Sequence, residues 1–205
     1  MKIWGRANSI NVQKVLWAAE ECGIAYERTD VGGAFGGNDQ KWYLDMNPNG
    51  VVPTIDDDGF ILWESNASLR YLAEKYGRGT LWPEDRQVRA DADRWMDWAT
   101  TTFWNALRPV FHQLIRTAPE NRNMDLVAQG VEGAAQASTI LERYLEGRDF
   151  VAGSEFTMGD IPIGQAVYRW YAMDIERPDR PNIRAWYERL GERPGYAEYI
   201  MIRLE

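Results

Sequence analysis

The stretch Asn47-Pro48-Asn49-Gly50-Val51-Val52-Pro53-Thr54-Ile55-Asp56-Asp57-Asp58-Gly59-Phe60-Ile61-Leu62-Trp63-Glu64-Ser65 decides how this chain folds. Val51 to Ile55 is rich in β-branched residues, which favours a strand, but Pro53 cannot donate a ladder hydrogen bond. Such a strand lies at an edge or begins at the proline. A cis Val52-Pro53 bond would turn the chain sharply and leave the Val52 backbone N–H and C=O free to pair with an extended, peptide-like ligand. Asp57-Asp58-Gly59 then makes a tight turn into Phe60 to Trp63, so the two strands form a hairpin. Beyond them Leu69, Leu72, Ala73 and Tyr76 recur at helical spacing, with Ser65 as the expected N-cap. Free N–H groups at that helix start attract a carboxylate, and Glu64 beside them offers the opposite charge. Together they suit the zwitterionic end of an amino acid.

Working outward, Lys2-Ile3-Trp4 is a short strand and Ser9 caps a helix whose apolar residues Val12, Val15, Leu16 and Ala19 lie on one face, ending at Gly23. Ile24 to Val31 reads as a second strand, which makes a right-handed βαβ unit. With the hairpin and its helix the pattern is an α/β, thioredoxin-like domain over residues 1–77. A Gly- and Pro-containing linker covers 78–85, and an all-α domain covers 86–205. In that second half one apolar stripe runs from Val88 to Leu114, with a kink expected at Pro109. Further helices are expected near Met124 to Leu145, Ile161 to Trp170, Pro181 to Leu190 and Tyr196 to Ile200. Thr157-Met158-Gly159-Asp160 reads as a shortened capping box.

Composition narrows the function. The formal charge of −8 argues against a general nucleic-acid binder. No apolar run approaches the roughly 20 residues of a membrane span, and no leader precedes the first strand, so a cytoplasmic protein is expected. One cysteine, Cys22, and one histidine, His112, leave no disulfide framework and no Cys or His cluster for a metal. Gly32 to Gly37 lacks the G-x-G-x-x-G spacing of a nucleotide loop and reads as a mobile loop beside the ligand pocket.

Asn47-Pro48-Asn49-Gly50-Val51-Val52-Pro53 followed by Trp63-Glu64-Ser65-Asn66-Ala67 resembles the glutathione-binding half of soluble glutathione S-transferases, in particular bacterial serine-type members, and the likeness runs through essentially the whole chain. The resemblance implies a cis Val52-Pro53 bond, a Val52 backbone paired with the cysteinyl unit of glutathione, and Glu64 with Ser65 on the γ-glutamyl end. It places Asn49, Val52 and Pro53 in the binding loop. Lys41 is either a partner for the glycyl carboxylate or an ordinary solvated lysine. Glutathione is the implied co-substrate, with no other cofactor, and a homodimer the implied assembly. The Thr157-to-Asp160 element is implied to serve folding rather than chemistry.

Where thioredoxin-like folds carry their active residue, this chain has Asn8-Ser9-Ile10-Asn11-Val12-Gln13-Lys14 and no cysteine. The Ser-x-Asn-x-x-Lys arrangement resembles serine-type transferases, which makes Ser9 and Asn11 the expected catalytic residues. Taken alone, Ser9 is better read as a helix cap and nothing more; the Val-Pro and Glu-Ser elements turn the reading to catalysis. A thiol titrates near ~8.5, and lowering it two units needs about 2.7 kcal/mol. One hydrogen bond to a charged partner supplies roughly 1.5–3 kcal/mol, so Ser9 and its helix start suffice without a base. An apolar electrophile pocket is expected from Ile10, Phe35, Trp104, Arg108, Phe111 and Trp170. Peroxidase, reductase or dehalogenase chemistry on the same site, and non-catalytic glutathione binding, are the alternatives.

Overall fold

The computed structural model describes residues 1–205. β1 (Lys2–Trp4), α1 (Ile10–Glu21) and β2 (Glu27–Thr29) form the βαβ unit, its strands parallel. β3 (Thr54–Asp57) and β4 (Phe60–Trp63) form the antiparallel hairpin, and the sheet order is β2-β1-β3-β4. β3 is therefore an inner strand. It begins at Thr54, just past Pro53, so no proline interrupts the ladder. The Val52-Pro53 bond is cis. At the hairpin tip Asp58 and Gly59 have φ of 55° and 92°, the two positive values that a two-residue type I′ loop requires. β2 is shorter than Ile24 to Val31, because it pairs only with β1 and its three residues face solvent.

α2 (Lys41–Leu44) precedes the hairpin and α3 (Ser65–Tyr76) follows it, packing beside α1. The glycine-rich segment holds a single 3-10 turn, Gly33–Phe35. In the helical half α4 (Arg86–Trp98) starts at Asp85, whose carboxylate accepts from the Gln87 and Val88 N–H groups. The helix then continues through a π turn at Ala99–Phe103, α5 (Trp104–Phe111) and a second π turn at His112–Arg116. The kink expected at Pro109 does not end the helix: Pro109 lies inside α5, with a π turn on either side of that segment. α6 (Met124–Tyr144) lies against α5 at Gly130, where a Cβ would stand 2.5 Å from Val110 Cγ2 and 2.8 Å from the Ala106 carbonyl. α7 (Asp160–Ala172), α8 (Pro181–Gly191) and α9 (Pro194–Tyr199) complete the chain. No helix is long and apolar enough to cross a membrane.

One apolar core runs through both halves, and α1 is its shared member. The Trp17 ring lies 5.3 Å from Phe156 and 4.9 Å from Tyr196, centroid to centroid. Polar side chains tie the same seam: Arg169 Nη2 donates to Gln13 Oε1 at 2.8 Å, and Gln13 Nε2 donates to the Tyr199 carbonyl at 2.6 Å. Gln165 Nε2 bonds the Ile10 carbonyl. These contacts hold the N-terminal end of α1 against α7, so the first turn of α1 faces the seam between the two halves.

The Thr157-to-Asp160 element differs in detail from a capping box. Gly159 occupies the cap position and Asp160 is the first residue of α7. Its buried carboxylate accepts from the Val151 N–H at 3.0 Å, the Thr157 N–H at 2.9 Å and Trp186 Nε1 at 2.9 Å. The Thr157 hydroxyl adds a longer bond of 3.3 Å. Burial pushes the Asp160 carboxyl up to about 6, against the pull of those donors.

Candidate active site

The loop from Gly5 to Asn8 carries the chain from β1 into α1 and is pinned by the Gly5 N–H on the Thr29 carbonyl (2.9 Å) and the Arg6 N–H on the Val31 carbonyl (3.1 Å). Ser9 follows at the cap position with φ −77° and ψ 125°; its carbonyl accepts the first helical bond from Gln13, but its hydroxyl caps nothing. That hydroxyl lines a cavity of about 280 Å³ at the seam. An unspent donor at a helix start, in a field that favours negative charge, is what a thiolate needs.

Val51 and Val52 form the facing wall. The loop that carries them is stitched from within: Tyr43 Oη donates to the Val51 carbonyl at 2.6 Å, Asn47 Nδ2 to the same carbonyl at 2.8 Å, and Thr54 Oγ1 to Tyr43 Oη at 2.9 Å. Val52 is treated differently. Neither its N–H nor its C=O has a hydrogen-bond partner within the chain, which leaves one donor and one acceptor for an extended ligand.

Glu64, exposed, takes φ 72° at the start of α3. Ser65 is the first helical residue rather than the cap, and it is buried. Its Oγ donates to Asn11 Oδ1 and accepts from Lys14 Nζ, both at 3.2 Å. Asn11 in turn lines the Ser9 cavity, so one side chain joins Ser65 to that cavity.

Lys14 is a group that sequence reasoning left without a role. It is 5% exposed, bonds only the neutral oxygens of Ser65 and Asn66, and burial pulls its ammonium down to about 8 although Glu64 opposes the shift. The unfolded chain therefore binds more protons than the folded one between about pH 8 and the ordinary lysine range, and stability should rise with pH across that window. In urea titrations the parent is expected to gain on Lys14→Met between pH 8 and pH ~10. Parallel pH profiles for the two proteins would contradict that assignment.

Trp104, Arg108, Phe111 and Ile10 reach the cavity, as expected from sequence. Others of the expected residues do not. Lys41 is exposed and paired with Asp45 at 2.7 Å. Asn49 folds onto Asn47 Oδ1 through its N–H and Nδ2, both 3.1 Å, while its neighbours Asn38 and Gly50 line the wall. Phe35 is turned outward to a separate groove near Ile202, and Trp170 is buried against Phe103. The apolar surface that does reach the cavity is thus part aliphatic (Ile10, Val51, Val52) and part aromatic (Trp104, Phe111), and beside it stand four cations: Arg6, Arg108, Arg116 and Arg169. Arg169 could have been suspected as a cation in the largely apolar α7, one turn after Gln165; the convergence of the four could not. Burial, and after it the nearby Arg116, hold the Arg6 guanidinium below its ordinary range. Burial, Arg116 and Arg108 in that order hold His112 down, favouring the neutral ring. Cys22, half-buried at the far end of α1, has its thiol pushed up to about 11 by burial and by Glu21, and takes no part.

Comparison with known proteins matches residues 8–75 to the N-terminal domain of glutathione S-transferases and residues 124–189 to their C-terminal domain. The chain is 41% identical to the glutathione S-transferase GstB of Escherichia coli over 202 residues, 98% of this chain and 97% of that one. The chain belongs to the glutathione S-transferase family. Among solved structures this transferase is similar to the theta-class enzyme of Xanthomonas axonopodis pv. citri with glutathione bound, at TM-score 0.96 and 46% identity, covering 100% of this chain and 98% of that one. It is also similar to a Bombyx mori glutathione transferase, at TM-score 0.86 and 28% identity over 98% of this chain and 92% of the other.

Proposed function

We propose that this transferase binds glutathione in the Ser9 cavity and that the Ser9 hydroxyl donates to the sulfur, stabilising the thiolate for attack on a small electrophile. The observation that carries the reading is the pairing of two unspent features across one cavity: the Ser9 hydroxyl at the start of α1 and the partnerless Val52 backbone. The Val52 N–H and C=O take the cysteinyl unit as a short antiparallel strand would. Glu64 meets the γ-glutamyl ammonium, and the free N–H groups at the start of α3 meet its carboxylate. Asn11 holds Ser65 in place and, lining the cavity itself, lies beside the thiol. The proton lost by the thiol passes to solvent, and no base is required.

The test is a titration of bound glutathione followed by thiolate absorbance. A pKa about one to two units below the free thiol is expected from one charge-assisted hydrogen bond and the helix start. Bound glutathione that titrates like the free thiol would end this reading.

We also infer a cytoplasmic homodimer. Val51, Phe60 and Trp63 form exposed apolar surface around the hairpin, of the kind that subunit contacts cover. Sedimentation equilibrium is expected to give twice the 23.6 kDa chain mass; a single-chain mass would refute the dimer.

A further inference from the structure

The lining of the cavity points to a class of second substrate. Arg6, Arg108, Arg116 and Arg169 converge on it from residues far apart in the chain, and no Asp or Glu lines it, in a protein whose formal charge is −8. Arg6, Arg108 and Arg169 are in no ion pair, whereas Arg28, Arg70, Arg94 and Arg193 are all paired with carboxylates. Arg169 is the most telling. It is 3% exposed, it is held only by Gln13 Oε1 (2.8 Å) and the Gln165 carbonyl (3.4 Å), and its Nε has no partner. Arg116 spends one donor, Nε, on the main-chain oxygen of Glu205, the last residue, at 3.3 Å and keeps its two terminal nitrogens free. A buried cation without a counter-ion, as Arg169 is, is costly unless something supplies the charge.

The four divide by position. Arg6 packs over Gly33 on the sheet-domain side, within about 3.1 Å of a Cβ built there, where glutathione itself lies under the reading above. Arg108, Arg116 and Arg169 belong to the helical side, with the aromatic faces of Trp104 and Phe111: the Arg169 guanidinium stands 5.9 Å from the Trp104 ring and 5.6 Å from the Phe111 ring, and Arg116 is 5.0 Å from Phe111. Flat apolar surface beside free guanidinium groups matches an unsaturated or aromatic body that ends in an anion.

We propose that the electrophile this transferase uses carries a carboxylate, held by Arg108, Arg116 and Arg169 while its reacting carbon faces the sulfur at Ser9. The proposal rests on the glutathione reading and names its second substrate. In the step, the glutathione thiolate attacks a carbon bearing a halide; the C–S bond forms, the carbon–halogen bond breaks, and the halide leaves with the bonding pair. The carboxylate takes no part in the electron flow and serves as the handle.

Two probes with the same benzylic chloride and nearly the same shape, one anionic and one neutral, test it: para-chloromethylbenzoate and para-chloromethylbenzamide, each with reduced glutathione and corrected for the uncatalysed rate. The parent is expected to favour the benzoate in kcat/KM by about tenfold or more, the size of one charge-assisted hydrogen bond, with the margin narrowing as salt is added. Arg108→Gln, at an exposed position, should lower kcat/KM for the benzoate about tenfold more than for the benzamide, and Arg169→Gln should do the same in protein shown by its urea midpoint to be folded. Equal or better turnover of the benzamide overturns the proposal. So does a preference that survives both substitutions, or an Arg108→Gln effect confined to KM for glutathione, which would assign that arginine to glutathione instead. Thiolate absorbance with glutathione alone is read separately: its absence speaks against Ser9, whereas a formed thiolate that reacts with neither probe overturns the carboxylate proposal alone.

Discussion

Ser9→Ala is expected to raise the pKa of bound glutathione by one to two units and to lower kcat/KM near neutral pH by about 10- to 100-fold, the equivalent of the roughly 1.5–3 kcal/mol that a hydrogen bond to a charged group supplies. The fold should survive, because the Ser9 hydroxyl caps nothing and α1 is secured elsewhere, by Trp17 in the core and by Gln13 on Arg169 and Tyr199. Glutathione affinity at low pH, where the thiol is protonated in both proteins, should change little. Under the proposed reading the tripeptide is held by the Val52 backbone and the Glu64-Ser65 corner, which the substitution leaves alone. The rate loss should shrink as pH rises through the free-thiol range, since both proteins then hold thiolate without help. An undiminished loss at high pH would mean that Ser9 acts on something other than the sulfur's protonation. Asn11 supplies the internal comparison: its Oδ1 accepts from Ser65, so Asn11→Ala should raise KM for glutathione more than it moves the thiol pKa.

How much of this was legible beforehand depends on how local each signal is. The hairpin and the βαβ unit were, because a two-residue turn and alternating apolar positions are written in neighbouring residues; Asp58-Gly59 supplied the positive φ values that the loop demands. Ser9 and the Val52 backbone were also legible, since a strand-to-helix junction and a Val-Pro step place them by chain connectivity alone. Side-chain destinations were harder. Asn49 and Asn38 are both short amides flanking the same loop, and only the closed turn around Asn47 Oδ1 decides that Asn49 is spent inside it. Trp170 and Trp104 both sit on helices of the second half, yet α7 is buried almost all round and α5 is not, so one tryptophan becomes core and the other wall. The arginines were beyond reach for a stronger reason. A charge on a helix reads as a solvated face, and nothing local says that residues 6, 108, 116 and 169 meet, or that no Asp or Glu side chain pairs with them.

Asp160→Ala is the substitution expected to cost the fold most. It would strand the N–H groups of Val151 and Thr157 and the indole N–H of Trp186, all buried and all now satisfied by one carboxylate. At 1–3 kcal/mol for each of the three unsatisfied donors the loss is about 3–9 kcal/mol, a large part of the 5–15 kcal/mol that holds an ordinary domain together. Relief of the carboxylate's own desolvation offsets part of it, so the lower end of that range is the better expectation. Asn should not rescue it: an amide offers one acceptor oxygen and turns an NH2 toward groups that are themselves donors. The pH dependence gives a second, independent check. Asp160 titrates at about 6 in the folded protein and near the ordinary carboxylate value of 3.8 when unfolded, so between those values the folded state binds more protons. The stability that this proton uptake contributes is present in full below the unfolded value and is lost as pH rises through the folded one. The gap between parent and Asp160→Ala, measured as urea-unfolding free energy, should therefore widen as pH falls from about 6 toward 4. A loss under ~1 kcal/mol, within the range of ordinary surface substitutions, would show that the donors around Asp160 find other partners and that α7 does not depend on it.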